Sequence, residues 1–134
     1  MITQISIYTE NKRGAARQIL SLLSEKDINV LGFVSSESGD FGTLRLIVSD
    51  PDGAMTILED GGYLCRRGEV LGVELPDQPG QLAMLLQRIE EININIDYMY
   101  VGYRRENHQP VILLHCDDQD IVAGILTRSG YTIY

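Results

Sequence analysis

Ile5 and Ile7 alternate with polar residues near the start of the chain, and Leu71, Val73 and Leu75 do the same further on. A period of two is that of a half-buried strand. After a polar turn the apolar period lengthens to that of a helix, with Ala16, Ile19, Leu22 and Leu23 in one place and Leu82, Leu85, Leu86 and Ile89 in the other. INVLGFV and ININIDYMY are rich in β-branched and aromatic residues and predict second strands. Leu44–Val48 and Val111–Cys116 predict third strands. Shorter helices follow, carrying Ala54, Ile57 and Leu58, or Val122, Ile125 and Leu126, on one face. Gly62 and Gly130 stand where a helix stops, and last short strands begin at Tyr63 and Tyr131. The order β-α-β-β-α-β is therefore predicted twice.

The two halves also match residue by residue. At an offset of 66, Gly14 meets Gly80, Leu20 meets Leu86, Glu25 meets Glu91, Ile28 meets Ile94 and Asn29 meets Asn95. Beyond residue 40 the offset becomes 68, so that Asp50 meets Asp118, Leu58 meets Leu126 and Gly62-Tyr63 meets Gly130-Tyr131. The matches fall at turns and periodic apolar positions, where backbone shape is decided, so they indicate a duplication. The join lies near Arg66–Glu69, giving expected repeats over 1–67 and 68–134. Right-handed crossovers place both helices of each repeat on one face of a four-stranded antiparallel sheet, an α+β, ferredoxin-like fold. A unit of about 65 residues buries only about 60% of its unfolded surface. The repeats are thus expected to associate, as a continuous sheet, and to pair further between chains into a homodimer or higher homo-oligomer.

Composition narrows the partners. The 134 residues carry 11 Lys and Arg against 19 Asp and Glu, a formal charge of −8. Residues 1–67 hold 7 basic against 9 acidic side chains, and residues 68–134 hold 4 against 10. Nucleic acids and anionic membranes call for a basic footprint, and this chain has the opposite. The opening MITQISIYTENKR puts its charges after the apolar stretch, the reverse of a signal peptide, and no apolar run is long enough for a bilayer. Cys65 and Cys116, in apolar strand-like surroundings, suit reduced thiols and a cytoplasmic location.

The chemistry that remains is concentrated in the turns from first strand to first helix, Glu10-Asn11-Lys12-Arg13-Gly14 and Asp77-Gln78-Pro79-Gly80. A glycine at a helix start lets backbone approach a ligand and leaves N–H donors unpaired. The positive end of the helix dipole favours a carboxylate there by roughly 0.3–1 kcal/mol. Asn11 both donates and accepts, which suits a zwitterion. Asn29, entering the second strand, is expected beside this turn, and Asp77 to pair an ammonium in the second copy. Together they form a plausible clamp for an α-amino acid. The same residue types also serve as ordinary caps of a strand-to-helix turn.

YTENKRG followed by INV, and LPDQPG followed by ININIDY, resemble the ACT domain family, and GDFGTLRLIVSDPD and ININIDYMYV resemble its tandem subgroup in particular. The resemblance covers essentially the whole chain. It implies a regulatory module without catalysis of its own, in which free amino acids bind between neighbouring ACT units. Contacts come from the first strand-to-helix turn and the start of the second strand. Position by position it marks Asn11, Gly14 and Asn29 in the first copy and Asp77, Gly80 and Asn95 in the second, with Lys12 and Ala15 beside the first-copy glycine. Phe33, Phe41, Tyr98 and Met99 are candidates for the walls that select a side chain. Two positions depart from the family. Arg13 stands where proline is usual, and Asp77 where ligand-binding copies often carry Asn. The first copy keeps its Asn and is the better candidate.

Other constellations carry less. Asp40-Phe41-Gly42 has the letters of a kinase metal motif but none of the accompanying loops, and reads as a turn. His108, His115, Cys65 and Cys116 are the usable soft metal ligands. His115 and Cys116 are adjacent and point to opposite faces of a strand, with Cys116 toward the core, so no metal site and no cofactor is expected. Tyr98, Tyr100 and Tyr103 with Arg104 and Arg105 could stack bases, a role the acidic charge argues against. No nucleophile–base–orienter set is present, so an enzyme is not expected. The expected function is a non-catalytic regulatory protein that binds a free amino acid; the alternative is a subunit that uses its repeats only for assembly.

Overall fold

The elements run β1 (Ile2–Glu10), α1 (Ala15–Glu25), β2 (Val30–Ser38), β3 (Phe41–Val48), α2 (Pro51–Asp60), β4 (Leu64–Glu74), α3 (Gln81–Glu91), β5 (Ile96–Tyr103), β6 (Pro110–Cys116), α4 (Gln119–Arg128) and β7 (Thr132–Ile133). They are seen in a computed structural model that describes residues 1–134. Two units separate, one of Thr3–Gly68 and one of Glu69–Tyr134 with Met1–Ile2. β4 passes unbroken through Arg66–Glu69, so the expected join of the repeats lies inside a strand and has no linker.

In the first unit β3 is central, antiparallel to both β1 and β2, with Ile5 opposite Leu46, Ile7 opposite Leu44 and Phe33 opposite Leu46. β1 is also bonded to β4. One face of this sheet supplies Ile5, Ile7, Leu44, Leu46 and Val48 to a core closed by Ile19 and Leu23 of α1 and Ala54 and Leu58 of α2. The second unit repeats the plan. β6 lies between β4 and β5, with Leu71 and Met99 both opposite Leu114, and β7 pairs with β4. Leu71, Val73, Leu114 and Cys116 meet Leu85, Ile89, Val122 and Leu126. Each fully buried Leu or Ile stabilises by about 1.5–3 kcal/mol relative to exposure.

The expected apolar faces of the long helices hold at Ile19, Leu23, Leu85 and Ile89 and differ only in the first turn. α1 buries Ala15, Ile19 and Leu23, and α3 buries Leu85 and Ile89, along i, i+4 rows. Ala16 is exposed and Leu82 is 40% exposed. The stripe that reaches the sheet is narrower than the set of apolar residues. The shorter helices follow expectation. Asp50 caps α2 by accepting from the Gly53 N–H at 3.0 Å, and the helix unwinds through Gly62 at φ 80°, as α4 does through Gly130 at φ 93°.

The change of offset between the copies sits in the second hairpin. β2 and β3 are joined by Gly39 and Asp40 alone, with Ser38 opposite Phe41. β5 and β6 are joined by residues 104–109, closed by Arg104 N–H to Gln109 O at 2.9 Å and His108 N–H to Arg104 O at 2.8 Å.

Candidate functional site

Both strand-to-helix turns end on a left-handed glycine, Gly14 at φ 79° and Gly80 at φ 87°, a conformation that a Cβ would strain. Neither α1 nor α3 has a side chain bonded to its N-terminal N–H groups or an acidic residue in its first turn. α2 differs, since Asp50 caps it. The first N–H of each helix turns back into its own turn, Ala15 to Lys12 O at 3.3 Å and Gln81 to Gln78 O at 3.4 Å, and no side chain caps the N–H groups that follow.

A cleft of about 330 Å³ opens at the first turn, and Asn11, Lys12 and Ala15 line it with Glu10, Ser35, Ser36, Glu37 and Thr43. The turn is fastened to the hairpin. The Asn11 backbone N–H donates to Asp40 O at 2.7 Å, and its side-chain amide donates to Glu37 Oε2 at 2.8 Å and Gly39 O at 3.2 Å. Lys12 Nζ lies 3.2 Å from Glu10 Oε2. Asn11 was expected to help hold a carboxylate. Both of its amide hydrogens are committed within the protein, and only the Oδ1 acceptor remains, a group suited to an ammonium.

Asn29 does not lie beside this turn. Its N–H donates to Ser49 Oγ at 2.9 Å at the entry to β2, whereas Asn11 meets the far end of β2 through Glu37. β1 and β2 are both antiparallel to β3 and so run parallel to each other. The helical crossover returns the chain to the end of the sheet where β1 began, a whole strand from the turn. Phe33 and Phe41 are 64% and 67% exposed. Phe33 lies mid-strand on β2, and Phe41 opens β3 opposite Glu10. Asp40-Phe41-Gly42 is thus the second half of a tight hairpin.

In the second unit, Asp77 lines a cleft of about 610 Å³ between the turn, the hairpin residues Gln109 and Pro110 and the α4–β7 connection, with Gln81, Met84 and Arg88 of α3 on one wall. Asn95, Tyr98 and Met99 come together elsewhere, in a cleft of about 580 Å³ between the end of α3 and the start of β5. Tyr98 stacks on His115 with centroids 5.1 Å apart, and His115 Nδ1 lies 2.8 Å from Asp97 Oδ2. Tyr100 is buried and Tyr103 exposed, so the three tyrosines form no shared platform. Asn29, Phe33, Phe41, Gly14 and Gly80 line none of the three clefts.

Sequence reasoning passed over Glu37, Ser35 and Ser36, which the hairpin returns to the first turn, and over Gln81, Met84 and Arg88. The second set carried a signal: residues at i, i+3 and i+7 share a helix face.

Both cysteines are free thiols. Burial pushes the Cys116 thiol up to about 11, with Asp97, Asp117 and Asp118 adding to it. Cys65 is raised as well, by burial and then by Glu59. No helix is long and apolar enough to cross a membrane.

The chain matches the family model of the ACT domain pair over residues 1–128. It belongs to that family. This ACT domain pair superposes on protein BT0572 from Bacteroides thetaiotaomicron with a TM-score of 0.89 and 30% identity, over 99% of this chain and 91% of that one. It shares its fold with the ligand-free regulatory subunit of aspartate kinase from Thermus thermophilus, at a TM-score of 0.66 and 16% identity over 94% and 90% of the two chains. A further structural match is E. coli aspartokinase III in complex with lysine and aspartate, at a TM-score of 0.50 and 14% identity over 94% of this chain and 30% of that one. No curated protein matches the chain.

Proposed function

We propose that this ACT domain pair is a non-catalytic regulatory protein of the cytoplasm that binds a free amino acid at a strand-to-helix turn and conveys its occupancy to a partner protein. The observation that carries this reading is the pair of helix starts that open on glycine with neither a side-chain cap nor an acidic residue in the first turn. Gly14 and Gly80 open α1 and α3, while Asp50 caps α2 and α4, also without a side-chain cap, carries Asp120 in its first turn. Next to each opening lies a cleft lined by residues of that turn, with volumes inside the 300–1,000 Å³ range of small-molecule sites. N–H groups that no side chain caps and a positive dipole end favour a carboxylate. The match to an aspartokinase solved with lysine and aspartate makes amino acids the first ligands to try.

A second reading, self-association, is favoured by the exposure of Phe33, Phe41 and Leu64, the last 70% exposed. Large apolar side chains left in water are what a homodimer contact covers. The two readings are compatible, since a ligand changes an assembly when the two states bind it unequally.

A thermal-shift screen with the twenty amino acids tests the first reading. A ligand at 100 times its Kd stabilises by about 2.7 kcal/mol, a shift of several degrees for a chain of this size. If no amino acid raises the midpoint, the proposal is wrong.

A further inference from the structure

The two turns have different electrostatic fates. At the first, the charged and amide groups satisfy one another: Lys12 pairs with Glu10, and Asn11 bonds to Glu37 and Gly39. At the second they do not. Asp77 and Arg88 line the same cleft, yet neither takes part in any ion pair or side-chain hydrogen bond. The third charged group on the wall, Glu74, accepts from the Tyr134 hydroxyl at 2.6 Å. One free carboxylate and one free guanidinium thus face a common space without touching, together with the uncommitted side-chain amides of Gln81 and Gln109. A guanidinium grips a carboxylate through two parallel N–H bonds, and a carboxylate accepts from an ammonium. Opposite charges held apart on one wall are complementary to a molecule bearing both charged groups on one carbon, as an α-amino acid does.

Resting on the reading of this protein as an amino-acid binder, we infer that the ligand occupies the cleft within the second unit, with Arg88 holding its carboxylate and Asp77 its ammonium, and that its side chain is not acidic. The exclusion of an acidic side chain follows from charge matching. Once the zwitterion has met Arg88 and Asp77, the only other charge on the wall is the Glu74 carboxylate, already held by Tyr134. An acidic side chain would face that carboxylate and lose water without gaining a partner. The remaining wall offers Leu75, Pro76, Met84 and Pro110 to an apolar side chain.

The test is calorimetric titration of the full chain with methionine, leucine, phenylalanine and lysine, and with glutamate for contrast. It is repeated on Arg88→Gln, Asp77→Asn and Asn11→Ala. Arg88 and Asp77 are exposed and unpaired, so the apo melting midpoints of their variants should match the parent. The expected result is binding of a non-acidic amino acid that Arg88→Gln and Asp77→Asn each weaken tenfold or more and Asn11→Ala leaves unchanged. On the unaltered protein, the matching amino alcohol and the matching deaminated acid should each bind at least tenfold more weakly than the amino acid. If a non-acidic amino acid binds but only Asn11→Ala weakens it, this assignment is overturned and the amino-acid-binding reading stands. A preference for glutamate overturns the charge argument, and no response to any of the twenty amino acids in the thermal-shift screen removes both.

Discussion

The Cys116 thiol offers a measurement in which ionisation reports directly on packing. It ends β6 and is 3% exposed among Leu71, Val73, Leu114 and Val122. Burial, with Asp97, Asp117 and Asp118 nearby, raises its pKa from 9.0 to about 11. At pH 8 an ordinary thiol of this kind is ionised to roughly one part in ten and Cys116 to about one part in a thousand. The thiolate is the reactive species, so ionisation alone slows its modification about 100-fold. The same shift ties stability to pH. The folded state keeps the proton where the unfolded chain releases it, so the contribution is complete below about pH 9 and is lost as pH rises to about 11. At about 1.4 kcal/mol per tenfold change in ionisation, the loss reaches roughly 3 kcal/mol. The assay is thiol labelling of native protein at pH 8, joined to urea unfolding followed by far-ultraviolet circular dichroism from pH 8 to 10.5, for the parent and Cys116→Ala. Cys65, half-buried in β4, should label first and Cys116 only on unfolding, and the parent should lose stability with rising pH more steeply than Cys116→Ala. Two native thiols labelling at similar rates, or parallel pH profiles, would refute the reasoning.

Two further substitutions test the scaffold. Asp50→Ala removes the acceptor for the Gly53 N–H at 3.0 Å and should cost about 1 kcal/mol in urea unfolding, while Asp50→Asn, which can cap in the same way, should cost no more than a few tenths. Leu85→Ala truncates a side chain with no exposure in the second core, and a loss of 2–5 kcal/mol is expected; a loss below 1 kcal/mol would mean that α3 does not pack as described.

The elements were legible because period and punctuation agreed. Ile5 and Ile7 against Leu44 and Leu46, and Leu71 and Val73 against Ile112 and Leu114, alternate without ambiguity, and Gly62 and Gly130 mark stops that take positive φ. Cys116 lies in the core and His115 on the other face, as strand parity required. The first turn of each long helix was harder, because Leu82 is as apolar as Leu85 and only the distance to the sheet distinguishes them. Asn29 was misplaced because adjacency in a β-α-β unit concerns strands, while the start of one and the end of the other lie a strand length apart. The partners of Asn11 could not be read, since Glu37 is brought to it by a hairpin 26 residues on. Arg88 was invisible for a different reason: a lone basic residue on a helix reads as solvated until a cleft is found beside it.

The fastening of Asn11 to its own hairpin bears on stoichiometry. Two equivalent corners would take two ligands per chain and could generate cooperativity within a single molecule. With the Asn11 amide hydrogens taken by Glu37 and Gly39 and the ligand assigned to the second unit, an isolated chain should saturate at one equivalent along a simple hyperbola. Any sigmoidal response then has to be built by joining chains together.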